Sequence, residues 1–394
     1  MSGLSKMIDR HRKAQILIGA VILWPLFQFQ VLSFPPVQDG WSGVERVVAI
    51  GDVHGDYGRF VAVLQSAGLI DPEGNWTGGK SHLVQTGDML DRGPDSRKVV
   101  DLLMRLEGQA RSAGGDVHVL IGNHETMNLY GDLRYVSAGE YAAFREANSE
   151  KTREDLYRRY QEQVRQSAPP GGAPAFDVAY RIKWDSEHPL GYAEHRREFG
   201  PTGKYGKWIR SLNTVIKIDD TLFLHGGISP KYEAYSLRQI NECVRSELED
   251  FAKLPGGIVI DDQGPLWYRG LAQGDEKDLQ SHLKTILDNH KVKKIVIGHT
   301  FADGAVTPRF GGQVLLIDIG LARLYDNKVR MACLLIENGR PYALHQGKKL
   351  ELPSDSGSDF LRYLSQAAAL DPSPSSLQTR IAKLETGLGA ATQK

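Results

Sequence analysis

Cysteine is nearly missing from this chain: its 394 residues include two, Cys243 and Cys333. Two thiols cannot build a disulfide framework, so the fold must hold through its core. They are read as buried thiols, with one disulfide in an oxidising compartment as the alternative. Net charge is missing as well, since 48 basic residues balance 48 acidic ones. That removes the electrostatic case for nucleic acid, which needs a clustered basic face. Long apolar runs are absent but for one, from Ile16 to Phe27 and on past Gln28 and Gln30 to Leu32, behind Arg10, His11, Arg12 and Lys13. Roughly 17 residues is the short limit for a spanning helix, and no clear small-x-small cleavage site precedes Phe34-Pro35-Pro36. The expectation is a signal anchor over 16–33 behind a cytosolic basic N-terminus (1–15), which makes the protein membrane-anchored with its catalytic domain luminal. A cleaved signal peptide and a secreted protein are the alternative. The glycosylation sequon Asn75-Trp76-Thr77 is compatible with either.

What is present is an ordinary globular composition, 41% hydrophobic and 24% charged, enough for one large domain or two. The stretch from Val47 to Glu125 organises it. Three short β-type runs (Val47 to Ile50, His82 to Thr86, Val117 to Ile121) each stop at a glycine followed by polar residues. The endings are Gly51-Asp52-Val53-His54-Gly55-Asp56, Gly87-Asp88-Met89-Leu90-Asp91-Arg92-Gly93 and Gly122-Asn123-His124-Glu125. Helical patterns follow the first two, so the pattern is a repeated βα unit. The carboxyl ends of parallel strands converge on one crevice, which would gather these residues into one site. Asp, His and Asn offer oxygen and imidazole donors suited to Mn, Fe or Zn rather than to an all-oxygen calcium cage.

Residues 34–45 read as a Pro/Gly linker, 46–350 as the catalytic domain and 351–394 as a Ser/Pro-rich tail with short helices. Within the domain, 131–206 is charged and aromatic at helical spacing, broken by Pro169-Pro170-Gly171-Gly172, and reads as a helical insert. Beside the crevice it either shapes substrate access or is a passive excursion, and its His188 and His195 read as solvated or structural. Strands return at Thr214 to Ile218, Thr221 to Leu224, Lys294 to Ile297 and Val314 to Ile319. A second sheet packed on the first gives an α/β four-layer α/β/β/α sandwich. In the tail, Leu377, Ile381, Leu384 and Leu388 share one helical face, the mark of a docked terminal helix.

The order GDxHG, GDxxDRG, GNHE, then Leu224-His225-Gly226-Gly227 and Ile297-Gly298-His299-Thr300, resembles the phosphoprotein phosphatases of the calcineurin-like metallophosphoesterase superfamily. Trp267-Tyr268-Arg269-Gly270, the GHT form of the last motif and the long insert resemble, more narrowly, the Shewanella-like phosphatases. The likeness runs roughly from Arg46 to Ala343. It implies the same sandwich and two divalent metal ions, with manganese expected and iron or zinc as alternatives. By that resemblance Asp52 and His54 bind the first metal, Asp88 bridges both, and Asn123, His225 and His299 bind the second. His124 resembles the general acid, with Asp91 as its partner, and Arg92 and Arg269 would clamp the phosphate. Arg269 matches the narrower subfamily alone. Neither cysteine is followed by arginine at the sixth position, so a phosphatase here must work through metals. The expected substrate is a phosphoprotein, on Ser/Thr or Tyr. A dinucleoside polyphosphate hydrolase shares the motifs, and a tethered pseudophosphatase scaffold is the non-enzymatic alternative.

Overall fold

The computed structural model describes residues 38–169, 171–323, 330–354 and 357–391. Among the described residues, twelve strands form two six-stranded sheets. In chain order they are β1 (Gly40–Trp41), β2 (Arg46–Ile50), β3 (His82–Gln85), β4 (Asp116–Val119), β5 (Val215–Ile218), β6 (Thr221–Leu224), β7 (Lys294–Ile297), β8 (Thr307–Arg309), β9 (Val314–Leu316), β10 (Ala332–Glu337), β11 (Arg340–His345) and β12 (Lys348–Glu351). One sheet runs β12-β11-β10-β2-β3-β4 and the other β1-β5-β6-β7-β9-β8. With helices on the outside, this is the four-layer α/β/β/α sandwich.

The apolar runs form strands because both faces of each are covered. Val47, Val48, Ala49 and Ile50 of β2 are all buried, as a central parallel strand requires. β2, β3 and β4 pair in parallel. The helix Tyr57–Ser66 starts where Asp56 accepts the backbone N–H of Arg59. The helix Ser96–Ser112 follows, its face of Val99, Val100, Leu103 and Leu106 buried. In the second sheet β6, β7 and β9 are parallel neighbours. Strands β10 to β12, which the sequence reading did not place, add antiparallel to β2.

The two sheets meet at the carboxyl ends of these strands. The N–H of His299, after β7 in one sheet, donates to Oδ1 of Asp52, after β2 in the other, at 3.0 Å. A Cβ on Gly51, after β2, would lie 2.5 Å from the carbonyl oxygen of Ile317, after β9. No side chain fits there, so the approach depends on glycine.

The segment 131–206 folds as helices, including Ala138–Ala142, Ser149–Ser167, Val178–Glu187 and Tyr192–Glu198. His195 is buried among Tyr141, Phe144 and Phe199, and burial lowers its pKa to about 3, so it is a neutral core residue. His188 stacks on Trp184 at 4.1 Å. In the C-terminal segment, the helix Ser358–Leu370 buries Phe360, Tyr363 and Leu364, and the Tyr363 hydroxyl donates to the carbonyl of Val306. Leu377 is buried beyond it, with Ile381 and Leu384 packed on the core.

The expectation of a membrane-anchored chain with a luminal catalytic domain is corrected. Among the described residues no helix is long and apolar enough to cross a membrane. Residues 16–33, on which that expectation rested, lie outside the described residues.

Candidate metal centre and active site

The three motif loops are locked together before any side chain reaches the crevice. The N–H groups of Val53 and His54 both donate to the carbonyl of Asp88 at 3.0 Å. Glu125, wholly buried, accepts from Asp88 N and Gly122 N through Oε2, and from Met89 N and Leu90 N through Oε1. One carboxylate thus gathers the ends of β3 and β4. Five of the ten predicted site residues sit in the left-handed region: His54 (φ 46°), Asp88 (57°), Asp91 (70°), Arg92 (68°) and His299 (61°). Such conformations cost about 1–3 kcal/mol each and persist where surrounding contacts over-determine them.

All ten predicted residues lie around one crevice. Eight are buried; Arg92 is half-buried and Arg269 exposed at the rim. Two donor groups share Asp88, one with His54 and His124 and the other with His225 and His299. The Nδ1 of His54 donates to the carbonyl of Leu90 at 2.9 Å, which turns Nε2 inward, 3.8 Å from Asp52 Oδ2 and 3.7 Å from Asp88 Oδ2. These separations are too long for hydrogen bonds. They are what a cation with bonds of about 2.0–2.2 Å imposes on its ligands, donor atoms about 3–4 Å apart. His225 is oriented in the same way, with Nδ1 donating to the carbonyl of Thr86 at 2.9 Å. Its Nε2 then lies 2.9 Å from Asn123 Oδ1, 3.1 Å from His299 Nδ1 and 3.3 Å from Asp88 Oδ1. Four donor atoms thus converge on one point, held by a proton on His225 here and open to a cation in its place.

The electrostatics agree. Burial, with Asp318 and Asp88 adding to it, holds the Asp52 carboxyl well above its ordinary range. Burial also raises Asp88, but His225 and His124 outweigh it and bring that carboxyl well below. Burial lowers His54 to about 3 and His299 to about 2, so both are neutral imidazoles with lone pairs to give. His225 is raised to about 9: burial opposes its charge, and Asp88 and Asp52 overcome that. His299 Nε2 is buried with no hydrogen-bond partner among the described residues. This donor set fits divalent metal ions.

On the outer side, His124 Nδ1 lies 2.6 Å from Asp91 Oδ2, and Asn128 Nδ2 donates to Asp91 Oδ1 at 2.8 Å. Burial lowers the pKa of His124, yet Asp88 and Asp91 outweigh it and the net shift is upward. Its Nε2 lies 3.3 Å from Arg92 Nη2. The Tyr135 ring, 43% exposed, stands 5.1 Å from the His124 ring, with the Arg92 guanidinium 5.7 Å from the Tyr135 centroid. Arg269 Nη1 donates to the carbonyl of His299 at 2.7 Å and to Thr300 Oγ1 at 3.1 Å.

Four residues here escaped the sequence reading. Glu125 and Asn128 bind loop backbone and the Asp91 carboxylate. Asp318, buried after β9, stands against Asp52, and burial pushes it up to about 6. Tyr135 flanks His124. The spacing of His124 and Asn128 by one helical turn was a usable signal, since residues four apart share a face. The others are placed by tertiary contact alone.

Residues 45–303 match the family model for calcineurin-like phosphoesterase. Shewanella-like protein phosphatase 2 of Arabidopsis thaliana is 31% identical over 314 residues, covering 73% of this chain and 74% of that protein. An uncharacterised Schizosaccharomyces pombe protein is 34% identical over 291 residues, covering 71% of this chain and 74% of its own. Among solved structures, the cold-active protein-tyrosine phosphatase of a psychrophilic Shewanella species superposes with a TM-score of 0.60 at 30% identity, covering 81% of this chain and 83% of that one.

Proposed function

The chain belongs to the calcineurin-like phosphoesterase family and is a metal-dependent phosphatase, and on that premise we propose that it hydrolyses phosphomonoesters on proteins, phosphotyrosine foremost. The observation that carries this reading is the position of His124. Its Nδ1 is tied to Asp91 at 2.6 Å, its backbone N–H donates to Asp88 Oδ1 at 3.1 Å, and its Nε2 lies 3.7 Å from Asp88 Oδ2. A proton donor thus stands directly beside the cation cradle.

Asp52, His54 and Asp88 would hold the first ion, and Asp88, Asn123, His225 and His299 the second. Two bound cations would supply a hydroxide nucleophile at neutral pH and draw charge from the phosphate oxygens. His124 gives the proton at Nε2 to the leaving oxygen, and Asp91 keeps the ring aimed and charged until it does. Arg92 and Arg269 bind the outward phosphate oxygens, since a guanidinium offers paired donors that match two of them.

The substrate class rests on Tyr135. Its exposed ring beside His124 offers an aromatic face to the leaving group, and the Shewanella neighbour is named a protein-tyrosine phosphatase. The manganese-loaded protein is expected to cleave phosphotyrosyl peptides with higher kcat/KM than matched phosphoseryl peptides. Tyr135→Ala should reduce that preference about 2- to 13-fold, the worth of an aromatic pair at about 0.5–1.5 kcal/mol. Faster cleavage of diadenosine tetraphosphate than of any phosphopeptide would overturn the assignment in favour of a dinucleoside polyphosphate hydrolase. A protein that binds no metal and turns nothing over would be a scaffold.

Arg269 gives a second test. Its bond to the His299 carbonyl leaves the rest of the guanidinium available to phosphate. Arg269→Ala is expected to lower kcat/KM about 10- to 150-fold, a charge-assisted hydrogen bond being worth about 1.5–3 kcal/mol. Lysine should recover part of it, keeping charge but not paired geometry. Unchanged kcat/KM in a folded, metal-loaded Arg269→Ala protein would reduce this residue to a strap on the His299 loop.

A further inference from the structure

We propose that Glu140, in the first helix of the insert, is a positioning residue for proton donation, holding the Asp91–Gly93 turn so that the Asp91 carboxylate stays aimed at His124. The inference rests on the reading of His124 as the general acid. Asp91 and Arg92 are consecutive non-glycine residues in the left-handed region, a conformation that Asp visits singly but that two residues in a row hold only with support. Their backbone is held from the insert, residue by residue. Asp91 N donates to Glu140 Oε1 at 3.2 Å, Arg92 N to the carbonyl of Tyr135 at 2.9 Å, and the carbonyl of Gly93 accepts from Ser137 Oγ at 3.0 Å.

Glu140 is wholly buried. Burial, with Asp91 adding to it, pushes its carboxyl up to about 8. A buried acid is a costly way to cap a helix of five residues, and its capping contact is long, Oε2 lying 3.5 Å from Ser137 N against 3.2 Å for Oε1 to Asp91 N. The approach is also too close to be incidental: a Cβ on Gly139 would stand 2.4 Å from the Cβ of Pro94, next to the turn. The other half of the pair is gripped as well. Arg196 of the insert donates to the carbonyls of Asn128 and Leu129, at the end of the helix that carries His124. The insert is therefore part of the acid's mounting.

The test is leaving-group dependence in the full-length, manganese-loaded protein, measured with 2,4-dinitrophenyl, p-nitrophenyl and phenyl phosphate. A dinitrophenolate leaves without a proton and a phenolate does not, so loss of acid alignment shows with the poor leaving group. Glu140→Ala is expected to lower kcat/KM with phenyl phosphate about 10- to 100-fold, the cost of displacing a catalytic group by about 1 Å, and to change the dinitrophenyl rate less than about 3-fold. Glu140→Gln, which keeps an oxygen for Asp91 N, should recover most of the loss. A folded Glu140→Ala protein that loses activity equally with all three substrates, or loses none, overturns the proposal if His124→Asn on the same substrates retains its steep dependence. A flat response from His124→Asn too would overturn the general-acid reading and this proposal with it. Should Glu140→Ala not fold, Ser137→Ala removes the tie to Gly93 and is judged by the same leaving-group criterion.

Discussion

Asp88→Asn is expected to abolish turnover, by about 10³-fold or more, and to reduce bound metal below two ions per chain. Asp88 is the one residue common to both donor groups, with Oδ2 3.7 Å from His54 Nε2 and Oδ1 3.3 Å from His225 Nε2. A carboxylate presents an anionic oxygen to each side. An amide presents one neutral oxygen and an NH2 whose hydrogens would point at a cation. Losing the shared charge forfeits several kcal/mol of stabilisation, which at about 1.4 kcal/mol per decade sets the expected rate loss. The fold should survive, because Asn is among the few residues at ease in the left-handed region that Asp88 occupies, and the backbone bond from residue 88 to Glu125 does not depend on the side chain. Elemental analysis and kcat/KM on one preparation decide the matter. Full metal stoichiometry with wild-type turnover would rule out a bridging Asp88.

His124→Asn is expected to keep its metal and lose about 10²- to 10⁴-fold in kcat on alkyl and phenyl esters, the usual contribution of a positioned acid. The pH profile carries the sign. Burial lowers the pKa of His124, while Asp88 and Asp91 raise it, and with cations on Asp88 the bond to Asp91 is the contact that keeps the proton on the ring. The active form is the protonated one, so wild-type activity is present below the pKa of His124 and falls as pH climbs through it. In His124→Asn that alkaline fall should vanish while the residual rate stays low. An alkaline limb that persists unchanged in the variant would assign it to another group and remove His124 from proton transfer.

Much of this site was legible from residues 47–125 because each ligand motif follows a short apolar run, and strands of that kind end where parallel neighbours end. That placement put Asp52, Asp88, Asn123 and His124 together as candidates, and the family resemblance supplied their expected roles; Asn128, one helical turn from His124, could have joined them. The membrane anchor was read from an apolar run too, over residues outside the described ones, and no described helix is long and apolar enough to cross a membrane. Strand β10 was missed because its partner β2 lies nearly three hundred residues earlier, whereas β11 and β12 pair with their chain neighbours across Asn338-Gly339 and Gln346-Gly347, a local hairpin signal that went unused.

The sequence by itself determined the donor chemistry: oxygen and imidazole donors after short apolar runs, and two thiols without a catalytic arginine. These follow from side-chain identity and short-range backbone preference, which act over a few residues. Only the tertiary structure decided that His225 Nε2 would meet Asn123 Oδ1 across 102 residues, and that His299 N would donate to Asp52 Oδ1 across 247. It decided as well which side chains hold the strained loops, Glu125 from within the core and Glu140 from the insert. A left-handed Asp91 or Arg92 has no local cause, since the intrinsic preference opposes it. It exists because contacts from elsewhere in the chain outweigh that preference, and those contacts form only when the two sheets and the insert have packed.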